Sequence, residues 1–154
     1  MGYELRSQRG GELDLNAINW PRVVELALEN GWEPAGTLAP LDWCDTESGH
    51  DPEQWGGGYC TNDGQYVTAK DARAMADALE RSLNHAPEEV QVRDFLVPIT
   101  ELADNEKLPD DYKEVLVRRP EVAELPASIY FHFHAQHIVR ETVDFSRRGG
   151  FYIW

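Results

Sequence analysis

The chain has 154 residues, about the size of one domain, and carries 28 acidic against 14 basic residues for a formal net charge of −14. That balance excludes nucleic acid and anionic membrane surfaces as the main partner, because binding either relies on Lys and Arg displacing counterions. Apolar residues at 42%, with 5 Trp, 6 Tyr and 5 Phe, exclude a solvated disordered chain, and no run approaches the roughly 20 apolar residues of a membrane helix.

The opening MGYELRSQRGGELDLN has no apolar core of a signal peptide, so a cytoplasmic protein is expected. Weak alternation on either side of Gly10-Gly11 predicts a short strand or extended arm. Asn19-Trp20-Pro21 starts a helix that runs to about residue 30, with Asn19 as cap. Trp20, Val23, Val24, Ala27 and Leu28 share its apolar arc, and Asn30-Gly31 ends it. Trp20 and Trp32 are expected in the core.

From Trp32 to Gly58 the sequence is irregular, punctuated by Pro34, Gly36, Pro40, Gly49, Pro52 and Gly56-Gly57-Gly58, with Trp43 and Trp55 embedded. A loop of that length inside a compact domain is more often functional than neutral. Tyr59-Cys60-Thr61 and Gln65-Tyr66-Val67 flank Asn62-Asp63-Gly64, which predicts a β-hairpin near 59–67. Thr68-Ala69-Lys70-Asp71 is a capping-box variant with Asp in place of Glu or Gln. It opens a helix from 69 to about 84 with Ala72, Met75, Ala76, Leu79 and Leu83 on one face.

Pro87-Glu88-Glu89 predicts a further helix ended by Pro98. A short helix is expected between Asp110 and Pro120, and a long one from Ser128 to Arg147 with Phe131, Ala135, Ile138, Val139, Thr142 and Phe145 on one arc. Phe151-Tyr152-Ile153-Trp154 is too aromatic to dangle in water, so it should tuck in as a strand beside the N-terminal arm or the hairpin. The expected fold is thus a single domain over 1–154, mainly α within the α+β class, with four to five helices, a hairpin and a short C-terminal strand.

Residues 41–68 hold six acids, Asp42, Asp45, Glu47, Asp51, Glu53 and Asp63, and no Lys or Arg. Within this stretch Trp43, Asp45, Glu47, Asp51, Glu53 and Trp55 form a candidate surface for a basic protein partner, since tryptophan concentrates at binding hot spots. The same loop does not make a calcium site: counted from Asp45, the glycine and the bidentate Glu of an EF-hand fall on His50 and Gly56. The three glycines lack any phosphate-loop pattern and any basic neighbour, so no cofactor is expected.

Cys44 and Cys60 sit in the most acidic part of the chain, which disfavours a reactive thiolate. Both read as reduced thiols. His134, His137 and Glu141 would share about 60° of arc if 128–147 is one helix, a spacing that can present ligands to a divalent ion. The competing reading makes them boundary residues of an amphipathic helix. As a strand, Ile129–His134 would dissolve the geometry altogether.

Trp32-Glu33-Pro34-Ala35-Gly36-Thr37, Gly57-Gly58-Tyr59 with Asn62 to Thr68, Asp71-Ala72 to Glu80, and Gly149-Gly150-Phe151 are together similar to a recurring, uncharacterised type of small acidic bacterial protein. The resemblance covers about half of the chain and implies a bacterial cytoplasmic setting. The leading expectation is a non-catalytic adaptor or immunity-type module. A metal-dependent protein using the His-rich C-terminal helix and a small-ligand pocket under the long loop are the alternatives.

Overall fold

A computed structural model of the chain describes residues 2–43, 51–85, 89–92, 95–98, 126–133 and 135–154. Its centre is a four-stranded antiparallel sheet in the order β2-β1-β6-β3, formed by β1 (Gly2–Ser7), β2 (Glu12–Asn16), β3 (Gln65–Val67) and β6 (Phe151–Ile153). The N-terminal arm is therefore a hairpin turning at Gly10 and Gly11, both at positive φ. The C-terminal strand lies between β1 and β3 and ties the two ends of the chain together. The architecture is α+β.

Helices α1 (Asn19–Glu29), α2 (Ala69–Asn84), α3 (Ala127–Phe133) and α4 (Gln136–Arg147) complete the main body. The core gathers Trp20, Val23, Met75, Leu79, Phe131 and Val139 against the sheet residues Leu5, Val67, Phe151 and Ile153. Trp20 and Trp32 are both buried, as their composition context predicts. Helix α4 packs along α2, and Arg147 near its end reaches Asp77 at 2.9 Å and Glu80 at 2.5 Å.

Several local expectations are corrected. Helix α1 is not capped by Asn19: the Asn16 side chain accepts from Ile18 N at 3.0 Å and Asn19 N at 2.6 Å, while Asn19 Oδ1 accepts from the Tyr130 hydroxyl at 2.9 Å. Its buried arc includes Leu26 and leaves Leu28 48% exposed, because α1 packs against both α2 and α3.

The predicted helix after Pro87 is instead a pair of strands, β4 (Glu89–Val92) and β5 (Phe95–Pro98), in antiparallel register. Here β-branched Val90, Val92 and Val97 favour extended backbone over the weak helix signal of the acids. The helix expected at 110–120 lies outside the described residues.

The long C-terminal helix is broken. Ala135 adopts φ 63 and ψ 36, the left-handed region that opposes an L side chain by about 1 kcal/mol. On either side of the break, α3 packs on α1 and α4 packs on α2.

The predicted hairpin at 59–67 does not form. Residues 59–61 are not a strand, and β3 pairs with β6 on one side and meets Leu38 in an isolated bridge on the other. The reason lies in where the carbonyls go. Gly57 O accepts from Thr37 Oγ1 at 2.7 Å, Gly58 O from Gln65 Nε2 at 2.7 Å, and Tyr59 O from Trp20 Nε1 at 2.6 Å. Cys60 O accepts from the Tyr3 hydroxyl at 2.7 Å and Thr61 O from Gln65 Nε2 at 2.5 Å. Five consecutive carbonyls thus accept from side chains, which competes with their use in a ladder to a facing strand.

Candidate functional site

The long loop is built outward from one carboxylate. Thr68 caps α2 by accepting from Asp71 N at 3.3 Å, which places residue 71 in the first turn. The capping box stops there, because the Asp71 side chain turns away from the helix end toward the loop. It is 2% exposed, and its Oδ1 accepts from Trp32 Nε1 at 3.0 Å and Ala35 N at 3.2 Å. Its other oxygen accepts a short hydrogen bond from the Tyr59 hydroxyl. A buried carboxylate is tolerable only when its lone pairs are met in this way.

Tyr59 links the two limbs of the loop. Its hydroxyl also accepts from Gly36 N at 2.9 Å, and its ring meets Trp32 edge to face at 4.8 Å. Burial first, and then the hydrogen bond to Asp71, push the phenol pKa far above the usual tyrosine range. Tyr59 therefore stays protonated and acts as a strut.

Beyond this hub the limbs are pinned by Thr37, whose hydroxyl donates to Gly57 O and accepts from Trp55 Nε1 at 3.0 Å. Trp55 in turn stands edge to face against Trp43 at 4.9 Å, and Trp43 Nε1 donates to the Asp51 carbonyl at 3.2 Å. Asp51 Oδ1 accepts from Glu53 N at 3.0 Å, shaping the short 3₁₀ turn Pro52–Gln54. Of the six residues proposed from sequence, Trp43, Asp51, Glu53 and Trp55 come together around the two indoles. Asp45 and Glu47 lie outside the described residues, as does Cys44.

No family model, curated protein or solved structure matches the chain.

The metal candidates fare differently. His137 and Glu141 are exposed one turn apart on α4, and His134 lies outside the described residues. Among the described residues no three His, Cys, Asp or Glu side chains come together as a metal cluster. An open depression of about 440 Å³ beside the hub is lined by Trp32, Glu33, Lys70, Asp71, Asp77 and Arg81 among others. Three of its polar groups are already engaged: Asp71 by the loop, Asp77 by Arg147, and Arg81 by Asn30 O at 2.8 Å.

Sequence reasoning missed Asp71, Tyr59 and Gln65, the residues that hold the loop in place. One signal was present: Asp71 lies four residues before Met75, at the edge of the apolar arc of α2 rather than opposite it. An acid at such a position has to find buried donors.

Proposed function

We propose that the chain is a non-catalytic protein-binding module, of the adaptor or immunity-protein kind, that engages a basic partner. The contact surface is the loop bearing Trp43, Trp55 and the acids Asp45, Glu47, Asp51 and Glu53. The observation that carries this reading is the Trp43–Trp55 pair, half-buried and braced through Thr37. Leu41, two residues before Trp43, is 84% exposed, and Asp42, Asp51 and Glu53 are exposed as well.

Rigid aromatic anchors reduce the ordering entropy lost on association, and a rim of one charge sign speeds encounter with a partner of the opposite sign. No Lys or Arg between residues 41 and 68 opposes that field. The test immobilises the chain and challenges it with lysate of its cell of origin at low and high salt. The comparison is a variant with Asp42, Asp51 and Glu53 changed to Ser and Trp43 to Ala. A basic protein retained at low salt and lost at high salt and on the variant is expected. Capture that is indifferent to both would count decisively against the proposal.

A further inference from the structure

The described helices cover the sheet face that carries Leu5, Val67, Phe151 and Ile153, and the opposite face has a pattern of its own. Directly paired residues of neighbouring strands share a face. The register therefore aligns Leu38, Tyr66, Tyr152, Arg6 and Glu12 in one row across the sheet. The next row runs from Gly64 through Trp154 and Glu4 to Asp14, with Glu4 and Trp154 exchanging backbone hydrogen bonds at 2.8 and 2.9 Å.

Two glycines make room for rings on this face. A methyl group on Gly64 would stand 2.6 Å from the Trp154 indole, and one on Gly150 would overlap the Tyr66 hydroxyl. Tyr66 and Tyr152 pack at 4.9 Å, with the Tyr66 hydroxyl donating to Gln8 Oε1 at 2.8 Å. The result is an ordered aromatic floor that remains open to solvent: Trp154 is 43% exposed and Leu38 53%.

This floor already holds one cation. The Arg6 guanidinium lies 6.0 Å from the Trp154 ring centroid, and its Nε is 2.5 Å from Glu4 Oε1. Beside it, Gly2, Tyr3, Glu4, Asp14, Leu15 and Trp154 frame a depression of about 440 Å³ at the end of the sheet. Asp14 is exposed there, and its carboxylate, like those of Glu4 and Glu12, acts on Arg6 through space. Three carboxylates, Glu4, Glu12 and Asp14, surround the single Arg6 charge, so a second cation beside Asp14 and the Trp154 indole, sharing Glu4 with Arg6, still meets an excess of negative charge. Leu38 joins the row through its bridge to Tyr66 and lies five residues before Trp43 in the chain.

We infer that this sheet face is a second docking surface for the partner, and that an arginine or lysine side chain of that partner enters the depression between Trp154, Glu4 and Asp14. The inference rests on the reading of the chain as a binder of basic proteins, and it concerns different residues. Charge complementarity favours a cationic occupant over a second copy of a chain with net charge −14.

The test titrates a synthetic amidated hexa-arginine peptide into ¹⁵N-labelled chain. The Trp154 indole N–H and the amides of Glu4, Asp14 and Tyr152 are followed. The E4Q/D14N variant should bind about five-fold more weakly, with the Trp154 shift lost. A charge-matched E141Q/D144N control on α4 and the loop variant above should each change affinity less than about two-fold at these resonances. Equal weakening by the control, unchanged affinity in E4Q/D14N, or perturbations confined to residues 38–55 would each overturn the inference. So would sedimentation showing that free chain dimerises through Trp154. If the natural partner is lost on the loop variant but kept by E4Q/D14N, this inference fails while the loop reading stands.

Discussion

The Trp32 indole donates to Asp71 Oδ1 at 3.0 Å across 39 residues of sequence, and both groups are buried. This hydrogen bond fixes the start of the long loop to the first turn of α2. The same carboxylate fixes the far limb through Tyr59. Changing Asp71 to Ala strands three donors, and the expected loss is about 3 kcal/mol of unfolding free energy. Urea denaturation measures it. Asp71→Asn keeps an acceptor for Trp32 and Ala35, so a loss nearer to about 1 kcal/mol is expected.

Tyr59 makes the fold sensitive to alkali. Its phenol is raised above the ordinary value of 10.0 by burial and by Asp71, so folding favours the protonated form. The stability this confers is whole below pH 10.0 and is lost as pH climbs from there through the raised folded value, where the unfolded chain ionises first. Thermal melts from pH 8 to 11 should show the decline. Tyr59→Phe should start lower by about 1–2 kcal/mol and lose part of the pH slope.

Glu29 reaches out of the last turn of α1 to cap another helix. Its two oxygens accept from Ala127 N at 3.0 Å and Ser128 N at 3.1 Å, meeting the unpaired amides at the start of α3. Glu29→Ala should cost about 1 kcal/mol. Hydrogen exchange of the amides in Ala127–Phe133 should accelerate more than that of α2, and uniform acceleration would argue against a local cap.

Ser146 carries the opposite expectation. Its hydroxyl is buried in α4 and, among the described side chains, is the buried polar atom left without a hydrogen-bond partner. Ser146→Ala removes an unsatisfied group and raises helix propensity, so stability should hold or rise by up to about 1 kcal/mol. A midpoint lowered in urea would show that the hydroxyl is paired in solution.

Alternation and periodicity made much of the fold legible. The faces of α2 and α4, the ends of α1, and the tucking of the C-terminal strand all follow from patterns within about twenty residues. The legible part of the site was its composition: indoles and acids in an irregular stretch without a cation. Where local signals conflicted, they misled. Asn62-Asp63-Gly64 is good turn chemistry, yet the turn serves no hairpin, because Gln65, Trp20 and Tyr3 take the carbonyls that a partner strand would need. Ala135 carries no mark of a helix break.

By itself the sequence determined which residues must leave water, which segments are periodic, and the sign of the surface charge, since these are set by side-chain chemistry and spacing. Only the tertiary structure decided that Asp71 faces inward to hold the loop, that β6 joins β1 to β3, and that Trp154, Glu4 and Asp14 meet on an open sheet face. Those outcomes depend on hydrogen-bond partners dozens of residues apart. No local pattern encodes which distant group will claim a buried donor or acceptor; that choice is made only when the whole core closes around it.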